Sequence, residues 1–111
     1  MSDEAQATNP LGQKEGGVQL PVHIRRECDV DNEVVNVRQS LGDEIMWYSE
    51  GDEFTIQFPI SPFDRDSFVV PAGGSKCSGP VRPDAPITIY RYNVTNVALA
   101  MSADPDVNVK H

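Results

Sequence analysis

Long apolar runs, basic tracts, leucine, cysteine and histidine are what this chain has little of. No run of apolar residues in the 111 approaches the roughly 20 that cross a bilayer as a helix. The opening residues, MSDEAQATNP, offer neither the basic start nor the apolar stretch of an export leader. The expected location is therefore cytoplasmic if Met1 is the native start, and periplasmic or secreted if a leader has been removed. Only 9 Lys and Arg stand against 17 Asp and Glu, a net charge of −8. A chain so acidic, with no basic tract, lacks the phosphate-neutralising surface that supplies most nucleic-acid affinity. Two cysteines and two histidines leave little for metal or nucleophilic chemistry, and four leucines leave little for helices. The expected partner is another protein, with neither nucleic acid nor membrane.

The charge that is present is unevenly placed. Residues 27–53 hold Glu27, Asp29, Asp31, Glu33, Asp43, Glu44, Glu50, Asp52 and Glu53 against Arg38 alone, so this segment carries the whole excess of −8. Most of these residues flank apolar runs, as solvated turn residues do. The Gly42-Asp43 and Glu50-Gly51-Asp52 turns bracket one predicted strand. The acidity is thus expected at two ends of the molecule rather than on one docking face.

Valine and isoleucine number 19, a composition that favours strands. The first 17 residues stand apart: one leucine and no aromatic residue cannot offset the entropy of ordering, and 1–17 reads as a disordered acidic tail. From Val18 onward short apolar runs alternate with turn chemistry, and 18–111 reads as one domain. Predicted strands run over 18–24, 34–37, 45–49, 53–58, 68–70, 87–94, 97–101 and 107–109. Leu20, Val22 and Ile24 share a face, as do Phe54, Ile56 and Phe58; Tyr90, Tyr92 and Val94 oppose Ile87, Ile89 and Arg91. Seven or eight such strands, with turns about every ten residues, predict an all-β sandwich or small barrel.

Several side chains invite a chemical reading. Cys28 and Cys77 could close a loop of about 50 residues by a disulfide, or remain free buried thiols, which the absence of an export leader favours. Neither has an evident base, because His23 alternates with Leu20, Val22 and Ile24 and the other histidine is the terminal His111. Asp29, Asp31 and Glu33 imitate the start of a calcium loop. An EF-hand would need glycine at Val34 and glutamate at Ser40, so a turn between strands is the expected reading, with a looser calcium site at a sandwich end as the alternative. Trp47 beside Tyr48 fits a buried core tryptophan or half of a sugar-binding platform. Phe63 tips a charged loop, Ser61 to Asp66, as a binding tip or an end plug. Asn93-Val94-Thr95 matches a glycosylation sequon within a predicted strand, and Asp104-Pro105-Asp106 reads as a turn.

Four segments together resemble the cupredoxins, the plastocyanin-like family. Residues 35–47 (VNVRQSLGDEIMW) resemble its strand, Gly-Asp turn and tryptophan-bearing strand; 54–58 (FTIQF) resemble the strand after the first copper histidine. Residues 68–75 (FVVPAGGS) are similar to its short strand and Pro/Gly turn, and 90–94 (YRYNV) to the strand that delivers the copper thiolate. The resemblance implies a Greek-key β-sandwich. Carried over by position, the first histidine falls near Glu53 or Phe54, the cysteine on Val94 and the second histidine on Val97, with Met101 near the axial place. A blue-copper centre needs two His and one Cys. The resemblance therefore implies a copper-free member in which Phe54, Val94 and Val97 are ordinary core. No catalytic, cofactor-binding or metal-binding residue is expected. The function this implies is a non-catalytic protein-interaction or assembly module; the alternative is an immunoglobulin-like carbohydrate- or ligand-binding module using Trp47, Tyr48 or Phe63.

Overall fold

Alternating apolar and polar residues, cut by proline and glycine turns, form ten short strands among residues 17–111, the part of the chain described in this computed structural model. They are β1 (Gln19–Ile24), β2 (Val34–Arg38), β3 (Glu44–Ser49), β4 (Phe54–Gln57), β5 (Ser67–Val70), β6 (Ser75–Cys77), β7 (Ile89–Arg91), β8 (Asn93–Asn96), β9 (Met101–Ala103) and β10 (Asp106–Lys110). Among the described residues helix is confined to two single 3-10 turns, Gln39–Leu41 and Val97–Leu99. The tail expected over 1–17 lies, apart from Gly17, outside the described residues.

The strands make three sheets in a β-sandwich-like domain: β1-β3-β6, β2-β10-β7 and β9-β8-β4-β5. β1 runs parallel to β3, from Gln19 opposite Glu44 to Ile24 opposite Ser49. β10 runs parallel to β2 and antiparallel to β7. The remaining pairings, β3 with β6 and β4 with both β5 and β8, are antiparallel, as is β8 with β9.

Side-chain alternation fixes which face is buried. Val22, Ile24, Val35, Val37, Phe54, Ile56, Val107 and Val109 all point into one core. At its centre five aromatic rings meet. Trp47 lies 5.2 Å from Phe68 and 5.7 Å from Tyr92 by ring centroids, and Phe58 stacks on Tyr92 at 5.0 Å and meets Phe63 edge-on at 5.8 Å. The indole N–H donates to the Tyr92 hydroxyl at 3.3 Å, so the polar ends of both rings are satisfied inside the core. Burial pushes the Tyr92 phenol up to about 12.

Three departures from the sequence reading have local causes. The predicted strand 87–94 is two strands, because the chain changes sheets at Tyr92: β7 pairs with β10, while β8 pairs with β4 and β9. The alternation of Tyr90, Tyr92 and Val94 toward the core continues across the change, so the pattern alone does not show it. The predicted strand 97–101 begins instead as a 3-10 turn. The Asn96 side chain caps it by accepting from the Leu99 amide at 3.4 Å, and Ala100 ends it at φ 54°. Val97, expected in the core, is accordingly 75% exposed. The third departure is β6, whose Ser-Lys-Cys sequence has no β-branched residue; it forms through antiparallel pairing with β3.

The corner before β3 shows where part of the acidity goes. Asp43, 1% exposed, is not a solvated turn residue. Its Oδ2 accepts from the Arg38 amide at 2.9 Å and from Arg38 Nε at 2.8 Å; its Oδ1 accepts from the Val18 amide at 3.0 Å and from Arg38 Nη2 at 3.1 Å. Burial alone would raise this carboxyl, but the Arg38 guanidinium and the two amides outweigh it and hold the group below the usual carboxylate range. One carboxylate thereby ties the entry to β1, the end of β2 and the start of β3.

Candidate functional site

A largely apolar open groove lies beside β7. This strand is at the edge of its sheet, with β10 on one side and no strand on the other among the described residues. The Tyr92 amide donates to Pro105 O at 3.0 Å, and Thr88 O accepts from the Val109 amide at 2.9 Å. In an antiparallel ladder alternate residues turn to the same side. Thr88, Tyr90 and Tyr92 therefore face β10, and the backbone N–H and C=O groups of Ile89 and Arg91 face the open side.

Two prolines and two arginines frame that side. Pro59, Ile60, Arg82, Pro86, Thr88, Ile89, Tyr90 and Arg91 enclose a groove of about 450 Å³. Ile60 is 74% exposed, Ile89 60% and, just before the strand, Ile87 44%. The local sequence produces this arrangement. Tyr90 is drawn into the core and donates its hydroxyl proton to Pro86 O at 2.7 Å, which forces the neighbouring Ile89 outward. Arg82 donates from Nη1 to Phe63 O at 2.9 Å and from Nε to Asp84 Oδ1 at 3.2 Å. Arg91 donates from Nε to Asp106 Oδ1 at 3.1 Å. Arg82 is thus held through two of its nitrogens and Arg91 through one, and each guanidinium keeps further N–H donors outside these bonds.

A second cluster occupies the outer face of β1-β3-β6. His23 stacks on Tyr48, its partner across the parallel pair, with centroids 4.9 Å apart, and its Nδ1 lies 3.0 Å from Asp31 Oδ2. Asp31 also accepts from the His23 amide at 2.9 Å. Burial alone would raise the Asp31 carboxyl; these bonds to His23 override it and lower it. Further along the same face the Cys77 thiol donates to Glu44 Oε1 at 2.6 Å. Burial first, then the Glu44 carboxylate, pushes the Cys77 thiol up.

The structure separates most of the residues that the sequence singles out. Cys28 and Cys77 are both free thiols; Cys28 is buried, donates to Met101 O at 3.2 Å and sits at φ 71°. Burial pushes its thiol up as well. Asp29 pairs with Arg25 at 2.7 Å and Asp31 with His23, so the carboxylates of the calcium-like run point to different partners. Among the described residues, no three His, Cys, Asp or Glu side chains are grouped so as to hold a metal ion. Trp47 and Phe63 are fully buried, the core and end-plug fates, and neither offers a ring face to a sugar; Tyr48 is the exposed member. In the sequon, Thr95 Oγ1 donates to Asn93 Oδ1 at 2.7 Å, and Asn93 Nδ2 donates to Asp104 Oδ1 at 2.9 Å. Of the positions carried over from the cupredoxin pattern, Phe54 and Val94 are core, while Glu53, Val97 and Met101 are exposed. His111 accepts at its carbonyl from the Ser40 hydroxyl at 2.7 Å.

What sequence reading missed is the groove. Its one signal was the placement of Ile87, Ile89 and Arg91 opposite Tyr90, Tyr92 and Val94. The aromatics identify the buried face and so turn the isoleucines outward. That Ile60 and Arg82 come to the same place depends on long-range packing and has no local mark. Among the described residues, no helix is long and apolar enough to cross a membrane. Compared with known proteins, the chain matches no family model and no curated protein.

Proposed function

We propose that this chain is a non-catalytic, copper-free cupredoxin-like domain, built as a Greek-key sandwich, that serves as a protein-interaction or assembly module. One observation carries the reading: Ile60 and Ile89 stand exposed across one groove beside an open strand edge, and Ile87 is exposed just before that strand. Exposed apolar side chains scattered singly are ordinary, but a group of them beside unpaired backbone is a recognised partner surface. The copper-free part rests on Phe54 and Val94, apolar core residues at positions where the family pattern would have a histidine and the thiolate.

Two measurements test this. Tagged protein cross-linked in source-cell lysate is expected to retain a recurring partner in stoichiometric yield. No retained partner, together with turnover of generic esterase, phosphatase or glycosidase substrates, would overturn the reading. Equilibrium dialysis against Cu(I) and Cu(II) is expected to show no tight equivalent; one copper held at submicromolar affinity with intense blue absorption would overturn the copper-free assignment.

A further inference from the structure

We infer that the β7 groove binds an extended segment of another protein by strand addition, and that this segment carries an apolar residue flanked by carboxylates. The inference rests on the interaction-module reading and names its surface and ligand chemistry.

Backbone supplies the first argument. Ile89 and Arg91 turn two N–H donors and two C=O acceptors to the open side, the repeat that an incoming antiparallel or parallel strand requires. Two other edges, both of the β1-β3-β6 sheet, are protected in ways this one is not. β1 carries Pro21, which has no N–H to donate, and β6 carries Lys76. Proline and lysine are common devices for blunting an edge. β7 instead presents isoleucines at and just before its start, with Ile60 on the opposite wall.

Charge supplies the second argument and selects the occupant. In a chain of net charge −8, this groove is lined by Arg82 and Arg91 and by no acidic residue. Asp84 with Phe63 O holds the Arg82 guanidinium and Asp106 holds that of Arg91, which fixes both in place and leaves N–H donors on each for a carboxylate. An apolar residue of the incoming strand would fill the space between Ile60 and Ile89, and acidic residues on either side would reach the arginines.

The probe is a fluorescein-labelled eight-residue peptide of alternating threonine and valine with glutamate at each end, compared by anisotropy with two relatives. One relative ends in lysine; the other has alternate backbone amides N-methylated. The glutamate-ended peptide is expected to bind saturably, at least tenfold tighter than either relative. Ile60→Asp and Ile89→Asp, both at exposed positions, are expected to weaken it at least tenfold while the circular dichroism stays that of the parent. Equal binding of the acidic and basic peptides, indifference to N-methylation, or binding untouched by both variants would overturn the inference. Sedimentation of the free chain supplies one further outcome: a dimer abolished by Ile89→Asp would assign the edge to a second copy and overturn it too. A partner captured in lysate by a chain carrying both substitutions would remove this surface while leaving the interaction-module reading in place.

Discussion

Asp43 and Cys77 show how much the neighbours of a single residue decide. The sequence marks Asp43 as a turn residue, and the turn is there, but the side chain is buried under four hydrogen bonds, three of them from Arg38. Asp43→Asn keeps the shape and removes the charge. It is expected to cost about 2 kcal/mol at neutral pH, the scale of charge-assisted hydrogen bonds beside a half-exposed arginine. The pH dependence has a definite sign. The folded carboxyl titrates below the roughly 3.9 of an unfolded aspartate, so the unfolded chain binds more protons between the two values. The contribution is present above about pH 4 and is lost as pH falls through the folded value. Urea unfolding should therefore separate parent and variant at pH 7 and narrow the gap as pH falls below about 4; a constant gap would refute the account. Cys77 obeys the opposite electrostatics. Burial and Glu44 disfavour its thiolate, so at pH 8 it should react with a disulfide reagent at least about tenfold more slowly than in the unfolded chain. Cys28, fully buried, should react only on unfolding, and Glu44→Gln should speed Cys77 alone.

At the scale of elements, the Asn96 turn sets propensity against capping. Val97 favours a strand, yet Asn96 supplies a cap and the chain turns. Asn96 is buried, with its amide donating to Arg26 O at 2.9 Å and Asp52 Oδ2 at 2.8 Å, so the turn is anchored to two other loops. Ala100 ends it in the left-handed region at φ 54° and is exposed. Ala100→Gly relieves that conformation and is expected to raise the urea midpoint by the equivalent of about 0.5 kcal/mol, the left-handed penalty less the extra entropy glycine loses on folding. A lower midpoint would mean that the turn is not strained there. The same corner shows what was legible. Period-two alternation located the strands around 18–24, 34–37, 45–49, 53–58, 68–70 and 107–109, because alternation is a local property. The sheet change at Tyr92 and the pairing of β6 were hidden, because hydrogen-bonding partners are chosen at long range and leave the alternation intact. The groove was half legible for the same reason: Ile89 could be turned outward from its neighbours' pattern, whereas Ile60 and Arg82 arrive from distant segments.

For the molecule as a whole, the order of strands makes the final described strand an interior one. β10 lies between β2 and β7, parallel to the first and antiparallel to the second, and buries Val107 and Val109 against the core. Its parallel partner lies about 70 residues earlier, so this sheet closes only when most of the chain has been brought together, a topology that folds slowly. Removing residues 106–111 should therefore act globally. The two valines alone contribute about 3–6 kcal/mol by burial, and their loss uncovers Val35, Val37 and Tyr90 as well. Against a total stability of about 5–15 kcal/mol, the sandwich is not expected to survive. Trp47, the single tryptophan and fully buried, reports the outcome directly. The shortened chain should show red-shifted emission and no cooperative urea transition, while a chain lacking only Lys110 and His111 should keep both signals close to those of the parent. Blue-shifted emission with a cooperative transition in the shorter chain would mean that β2 and β7 do not depend on β10, and that the core is held by the other two sheets.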